Sequence, residues 1–213
     1  MVLVGFVKKG IGDLEDTHKI RIFGWMPKGG WIPSGSATWE QPGANTFIFK
    51  SYKGQPGSAV GDDQPGKEYL FKERQEARTD YLDFGHYVWS ADVETYADKL
   101  YHADVFYLMQ IHDDRPRGAP CASVTIDGRR LFINSDYAKT QIHQKYTGKH
   151  HIETDFNYNS SSAKIKIILD HKHELTFDTK ISGGLYLKFG VYRWNAVCDV
   201  KQVYTNVRFE RLG

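Results

Sequence analysis

Residues 185–194 read LYLKFGVYRW. Leu185, Leu187, Phe189 and Val191 recur at every second position. A helix cannot gather such a set on one side, but a pleated strand does, because its successive side chains point to opposite faces. The same run then gives its other face Tyr186, Lys188, Gly190, Tyr192 and Trp194. Runs of this kind return along the chain: 104–112, 122–133, 163–169, 174–179 and 203–211 are short, apolar and rich in β-branched or aromatic residues. Asp127-Gly128 divides 122–133 and reads as a hairpin turn. The opening residues MVLVGFVKKG read as a first strand, since their charges follow the apolar run instead of preceding it as in a signal peptide. Residues 91–102 are the exception: Val93, Tyr96, Ala97 and Leu100 fall on one helical stripe behind Ser90 or Asp92 as a cap. The expectation is an all-β chain, an antiparallel two-sheet sandwich or jelly roll with one short helix and an open concave groove.

At 213 residues the chain fits one large β domain, residues 1–213, with a substantial core. Residues 24–67 hold five of the seven prolines and nine glycines, together with Trp25, Trp31 and Trp39. They read as long loops at one rim, with Phe47-Ile48-Phe49 as the one clear strand. A formal net charge of +2 does not make a polyanion binder by bulk charge, which argues against nucleic acid, though a local basic cleft stays open. No apolar stretch approaches the roughly 18 residues of a membrane span. Cys121 and Cys198 allow one bridge or two buried thiols. Asn159-Ser160-Ser161 is a glycosylation sequon, a weak signal.

Three polar strand faces stand out from the usual Thr, Ser and Lys of a solvated sheet. In RQEAR, Arg74, Glu76 and Arg78 share a side; in QIH, Gln110 and His112 do; the third is the Tyr186–Trp194 face. Glycine inside a strand marks a bulge or the close approach of something else, and Gly190 sits between Lys188 and Tyr192. These side chains suit one chemistry. The C5 proton of a uronic acid is adjacent to a carboxylate and is hard to remove. An arginine and an amide donor that neutralise the carboxylate stabilise the enolate-like transition state. A neutral His, or a Tyr whose pKa is lowered by nearby Lys188 and Arg74, can take the proton, and a Tyr hydroxyl can give one to the departing C4 oxygen. Such β-elimination requires no metal, redox cofactor or covalent nucleophile. Removal from the same side as the leaving oxygen lets one Tyr do both jobs; removal from the opposite side favours His as base.

In this order, Arg74-Gln75-Glu76-Ala77-Arg78, Gln110-Ile111-His112 and Tyr186-Leu187-Lys188-Phe189-Gly190-Val191-Tyr192 resemble the motifs of the jelly-roll polysaccharide lyases. These are the alginate and glucuronan lyases and, more distantly, heparin lyase I. The resemblance implies that Arg74 and Gln110 neutralise the uronate carboxylate. It implies that His112 is the base or assists it, and that Tyr192 is the acid. Arg78, Lys188, Tyr186, Glu76 and Trp194 would bind substrate or shape the site. The pattern departs at Phe189, where alginate lyases usually have Ala, and at Arg193-Trp194, where they have Asn-Gln; both lean towards the glucuronan and heparin lyase side. The implied protein is a secreted, monomeric enzyme that cuts glucuronan or alginate endolytically and leaves unsaturated non-reducing ends. A structural calcium is possible by the same resemblance, with no ligands to name.

Two other functions fit a sandwich. A glycoside hydrolase needs two facing carboxylates, for which Glu153 and Asp155 in HHIETDF are the candidates. A non-catalytic carbohydrate-binding jelly roll would use the same aromatic and cationic side chains without proton transfer. His171 and His173 in DHKHE, and His150-His151, lack convincing metal-ligand spacing, and DHKHE reads as a polar hairpin turn.

Overall fold

The computed structural model describes residues 20–23, 39–43, 45–51, 72–79, 81–97, 105–114, 120–128, 130–135, 139–143, 148–194 and 198–212. They form fourteen strands: β1 Ile20–Phe23, β2 Trp39–Gly43, β3 Thr46–Ser51, β4 Lys72–Thr79, β5 Gly85–Ala97, β6 Val105–His112, β7 Ala122–Asp127, β8 Arg130–Ser135, β9 Lys139–His143, β10 Lys149–Tyr158, β11 Ser162–Leu169, β12 His173–Lys180, β13 Tyr186–Trp194 and β14 Val200–Arg211. One seven-stranded antiparallel sheet runs β1-β4-β13-β6-β7-β8-β9, the other β12-β11-β10-β5-β14-β3-β2. This is the two-sheet jelly-roll sandwich that the alternation implied. The expected opening strand, and most of the loop-rich stretch 24–67, lie outside the described residues.

Residues 91–97 are strand, not the start of a helix. Tyr87, Trp89, Ala91, Val93 and Thr95 are buried at every second position, a period-two run that began before the apparent helical stripe. β5 pairs along its length with β10 on one edge and β14 on the other. Sheet hydrogen bonds on both sides outweigh four residues of helical spacing. Among the described residues there is no helix.

The hairpins lie where turn chemistry placed them. Gly128 takes φ 62° between β7 and β8, and Asp170 and His171 take φ 54° and 55° between β11 and β12. Asp170-His171-Lys172 thus make a tight turn, and His173-Glu174 begin β12. Cys121 and Cys198 are both buried and are not joined by a disulfide, which decides between the two options left open for them.

Phe189 of β13 ties the sheets together. Its ring meets Phe47 edge-on at 5.3 Å and Phe49 at 5.9 Å, both from β3, and lies 5.5 Å from Trp89 of β5. Next to it the first sheet is irregular. Phe189–Tyr192 of β13 pass only Met109–Tyr107 of β6, and Tyr107–Met109 of β6 pass only Thr125 and Val124 of β7. These are β-bulges, and Gly190, at φ 130°, supplies the backbone shape that other residues rarely adopt. The second bulge matters for side-chain direction. Leu108 and Met109 are both in the core, so Tyr107 leaves the phase that strict alternation would give it and stacks on Tyr192 at 5.1 Å.

A bulge frees backbone groups, and here one buried hydroxyl meets them. Tyr204 of β14 reaches across the core, with its Oη 2.7 Å from Leu108 O and accepting from Gly190 N–H at 3.2 Å. Tyr204→Phe keeps the ring but leaves those buried groups without that partner, a loss of about 1–3 kcal/mol. Urea unfolding of the variant should show that loss; an unchanged midpoint would mean the bulges do not depend on the hydroxyl.

Candidate active site

The sheet order makes neighbours of the three polar segments. β13 lies between β4 and β6, so residues 74–78, 110–112 and 186–192 occupy adjacent strands although over a hundred positions separate the first from the last. The registers fix who faces whom. Tyr186 pairs with His112, and Lys188 with both Gln110 and Arg78. Gly190 pairs with Glu76, and Tyr192 with Arg74 on one side and Tyr107 on the other. For Arg74, Arg78 and Trp194 the structure describes backbone register alone; Trp194 pairs with Lys72 and Val105.

Glu76 is the centre of the face. It is 2% exposed, yet its carboxylate is supplied with donors from the other two polar segments. Gln110 Nε2 donates to its Oε1 at 2.5 Å, and Lys188 Nζ lies 3.8 Å from its Oε2. A carboxylate can only accept, so the Gln110 amide must turn its NH2 towards Glu76. That leaves the amide oxygen facing His112, whose Nε2 is 2.9 Å away. The contact is a hydrogen bond only if His112 Nε2 carries the proton. In the neutral ring the lone pair then belongs to Nδ1. A buried acid thus sets, through one amide, which nitrogen of the imidazole is basic. Gln110 donates to Glu76 through one of two N–H groups, so the amide can also serve a ligand.

Aromatic rings extend this centre in both directions. Tyr186 stacks on the His112 ring at 5.4 Å and 9° and lies 5.6 Å from Lys188 Nζ. Tyr107 and Tyr192 stack at the other end. Burial, and then the Glu76 charge, push the Tyr107 phenol above its usual pKa, which favours its protonated form. Tyr107 is absent from the sequence motifs because only the bulge turns it to this face. The floor of the face is closed: Glu76, Gln110, His112, Lys188 and Tyr192 are all buried. Tyr186 is the phenol stacked on His112, while Tyr192 lies six positions further along β13, opposite Tyr107.

The other candidate chemistries lie on the second sheet. Glu153 and Asp155 belong to β10 and alternate with buried Ile152, Thr154 and Phe156; Asp155 Oδ1 is held 2.7 Å from His86 Nε2. They do not join Gln110 and His112. His150 bonds Asp170 at 2.7 Å, and His151 bonds Asp92 at 2.8 Å and stacks on His171. Among the described residues no group of three His, Cys, Asp or Glu is arranged to hold a metal ion. A cavity of about 520 Å³, lined by residues that include Lys50, Tyr96 and Lys201, also belongs to this sheet.

No protein-family model matches the chain, and no curated protein sequence does. Solved structures do match. Alginate lyase AlgAT5 of polysaccharide lyase family 7 superposes with a TM-score of 0.58 at 17% identity, over 83% of each chain. The marine alginate lyase AlyA1 of the same family, from Zobellia galactanivorans, gives 0.58 at 14% identity over 94% of this chain and 97% of its own. A family 7 alginate lyase, A1-II', solved with substrate and carrying a His-to-Asn and a Tyr-to-Phe substitution, gives 0.51 at 13% identity over 83% and 82%. The fold is that of these jelly-roll lyases.

Glu76→Gln tests the relay. Glutamine has nearly the same shape but can donate as well as accept, so the Gln110 amide is no longer held in one orientation. The ¹⁵N spectrum of His112 should pass from the Nε2–H tautomer to a mixture, with a stability loss of about 1–3 kcal/mol in urea. A spectrum unchanged in the variant would show that Glu76 does not set the tautomer.

Proposed function

We propose that the protein is an endolytic polysaccharide lyase that cuts a uronic-acid-containing chain, of glucuronan or alginate type, by β-elimination. The observation that carries this reading is the Glu76–Gln110–His112 chain beside Lys188 and two tyrosines, on a fold shared with alginate lyases. It brings together an imidazole whose neutral form has its basic nitrogen at Nδ1, a cation, an amide donor and phenols on one sheet face.

In this mechanism Arg74 and the remaining Gln110 N–H neutralise the substrate carboxylate, and Lys188 and Arg78 hold the chain. His112 Nδ1 takes the C5 proton. The electron pair of that bond forms the C4–C5 double bond, the C4–O bond breaks, and a phenol protonates the departing oxygen. The resemblance assigns the phenol to Tyr192. The structure favours a second candidate in one respect: Tyr186 is the ring stacked on His112. Glu76 would act by orienting Gln110, whose Nε2 donates to its carboxylate at 2.5 Å. Tyr186 and Trp194 complete the substrate-binding set. A polymeric substrate places the activity outside the cell.

Incubation with glucuronan, alginate blocks and heparinoids should raise ultraviolet absorbance as unsaturated ends form. New reducing ends without absorbance would indicate hydrolysis; binding without either would indicate a carbohydrate-binding module. Phenylalanine at the proton donor should lower kcat by about 10²- to 10⁴-fold with substrate binding retained. Tyr192→Phe and Tyr186→Phe compared side by side decide between the two phenols, since only the donor variant should show that fall.

A further inference from the structure

Tyr81 lies outside every motif, yet the structure builds a support for it. It precedes the Leu82 bridge to Leu185, so it sits at the start of β13, beyond Tyr186 and His112. Its ring meets Tyr186 edge-on at 5.4 Å, and Tyr186 in turn lies flat on His112. Its hydroxyl donates to Asp114 Oδ1 at 2.5 Å. Asp114 is itself fixed: its Oδ2 accepts from Gly184 N–H at 3.1 Å, and its N–H donates to Ser182 O at 2.9 Å. The neighbouring Asp113 accepts from Ser182 N–H at 2.8 Å.

Two glycines make the space. A Cβ on Gly184 would stand 2.4 Å from Tyr81 Cδ1, and one on Gly183 would stand 2.5 Å from Asp114 Oδ2. Any other residue at 184 would push the ring away. A tyrosine anchored so closely on one edge is nonetheless 51% exposed. Exposure along the face rises from buried His112 through half-buried Tyr186 to Tyr81, so this is where the line of side chains meets solvent.

We propose that Tyr81 forms an outer sugar-binding subsite, on which a pyranose of the polysaccharide stacks its C–H face after passing Tyr186 and His112. The inference rests on the lyase reading for the identity of the chain; Tyr81 itself moves no proton, although its ring borders Tyr186. Aromatic rings present a flat apolar surface at low conformational cost, which suits a sugar face. Asp113 and Asp114 beneath the ring are engaged by Ser182 N–H, by Gly184 N–H and by Tyr81 itself, so the carboxylates serve the platform.

The test uses oligoglucuronates and oligomannuronates, trimers against hexamers, with the full chain. Tyr81→Ala should raise KM for the hexamer about fivefold, the scale of one aromatic contact, leave the trimer nearly unchanged and spare kcat. Tyr81→Phe, which keeps the ring, should stay within about twofold of the native protein, and Gly184→Ala should resemble Tyr81→Ala. Tyr96→Ala, an exposed tyrosine of the second sheet, is the control. If no absorbance appears with any polyuronate, the lyase reading has failed, and calorimetric Kd values for the same hexamers replace KM. Tyr81-dependent binding would then still support the subsite. Equal losses in Tyr81→Phe and Tyr81→Ala would overturn it in favour of a purely structural hydroxyl. So would unchanged hexamer affinity in Tyr81→Ala, or no hexamer binding by the native protein.

Discussion

A carboxylate with almost no exposed surface cannot stand in the middle of a sheet without donors, because desolvating the charge costs several kcal/mol. Glu76 meets this requirement through Lys188 from adjacent β13 and Gln110 from β6, one strand further across the sheet. The constraint then propagates. An acceptor at Glu76 fixes the Gln110 amide, the amide fixes the His112 proton on Nε2, and Tyr186 covers the imidazole from its flat side. Three strands distant in sequence thus meet in one connected set of buried polar side chains.

The bulges are the second condition. Without the extra residues at Gly190 and Leu108, strict alternation would send Tyr107 to the core side with Met109 and Ile111. With them, Tyr107 joins Tyr192 on the polar face. Tyr204 meets the backbone groups that this irregularity exposes, from a strand of the opposite sheet. Core and site therefore meet at one hydroxyl. Phe189 takes part in the same arrangement, since its large ring fills the space between β3 and β5 immediately beside the glycine.

Much of the architecture was legible from local patterns. LYLKFGVYRW, AKIKIIL and ELTFDT read as strands because alternation is a property of the backbone, and each of them is one. Asp127-Gly128 read as a turn because left-handed backbone favours such residues, and DHKHE because it lies between two strands; positive φ at Gly128, Asp170 and His171 agrees with both. Residues 91–97 misled because four positions matched a helical stripe, while the deciding pattern, Tyr87 to Thr95, straddled the boundary and was completed by two sheet partners. Tyr107 was invisible because a bulge changes phase without leaving a reliable mark in sequence. Tyr81 was invisible because its support comes from Asp114, Gly183 and Gly184, far away in the chain.

Gly190 shows where the boundary falls. The sequence alone established that a glycine interrupts an amphipathic strand, that Lys188 and the tyrosines share a face, and that the residue types of RQEAR, QIH and YLKFGVY suit proton abstraction beside a carboxylate. Those follow from side-chain chemistry and strand period, which are local. Only the tertiary structure decided that the glycine forms a bulge held by Tyr204, that His112 lies against Tyr186 with Tyr192 further along, and that Glu76 is buried beneath the face it organises. Strand order, register and burial arise from contacts between residues a hundred positions apart, and no local pattern encodes them.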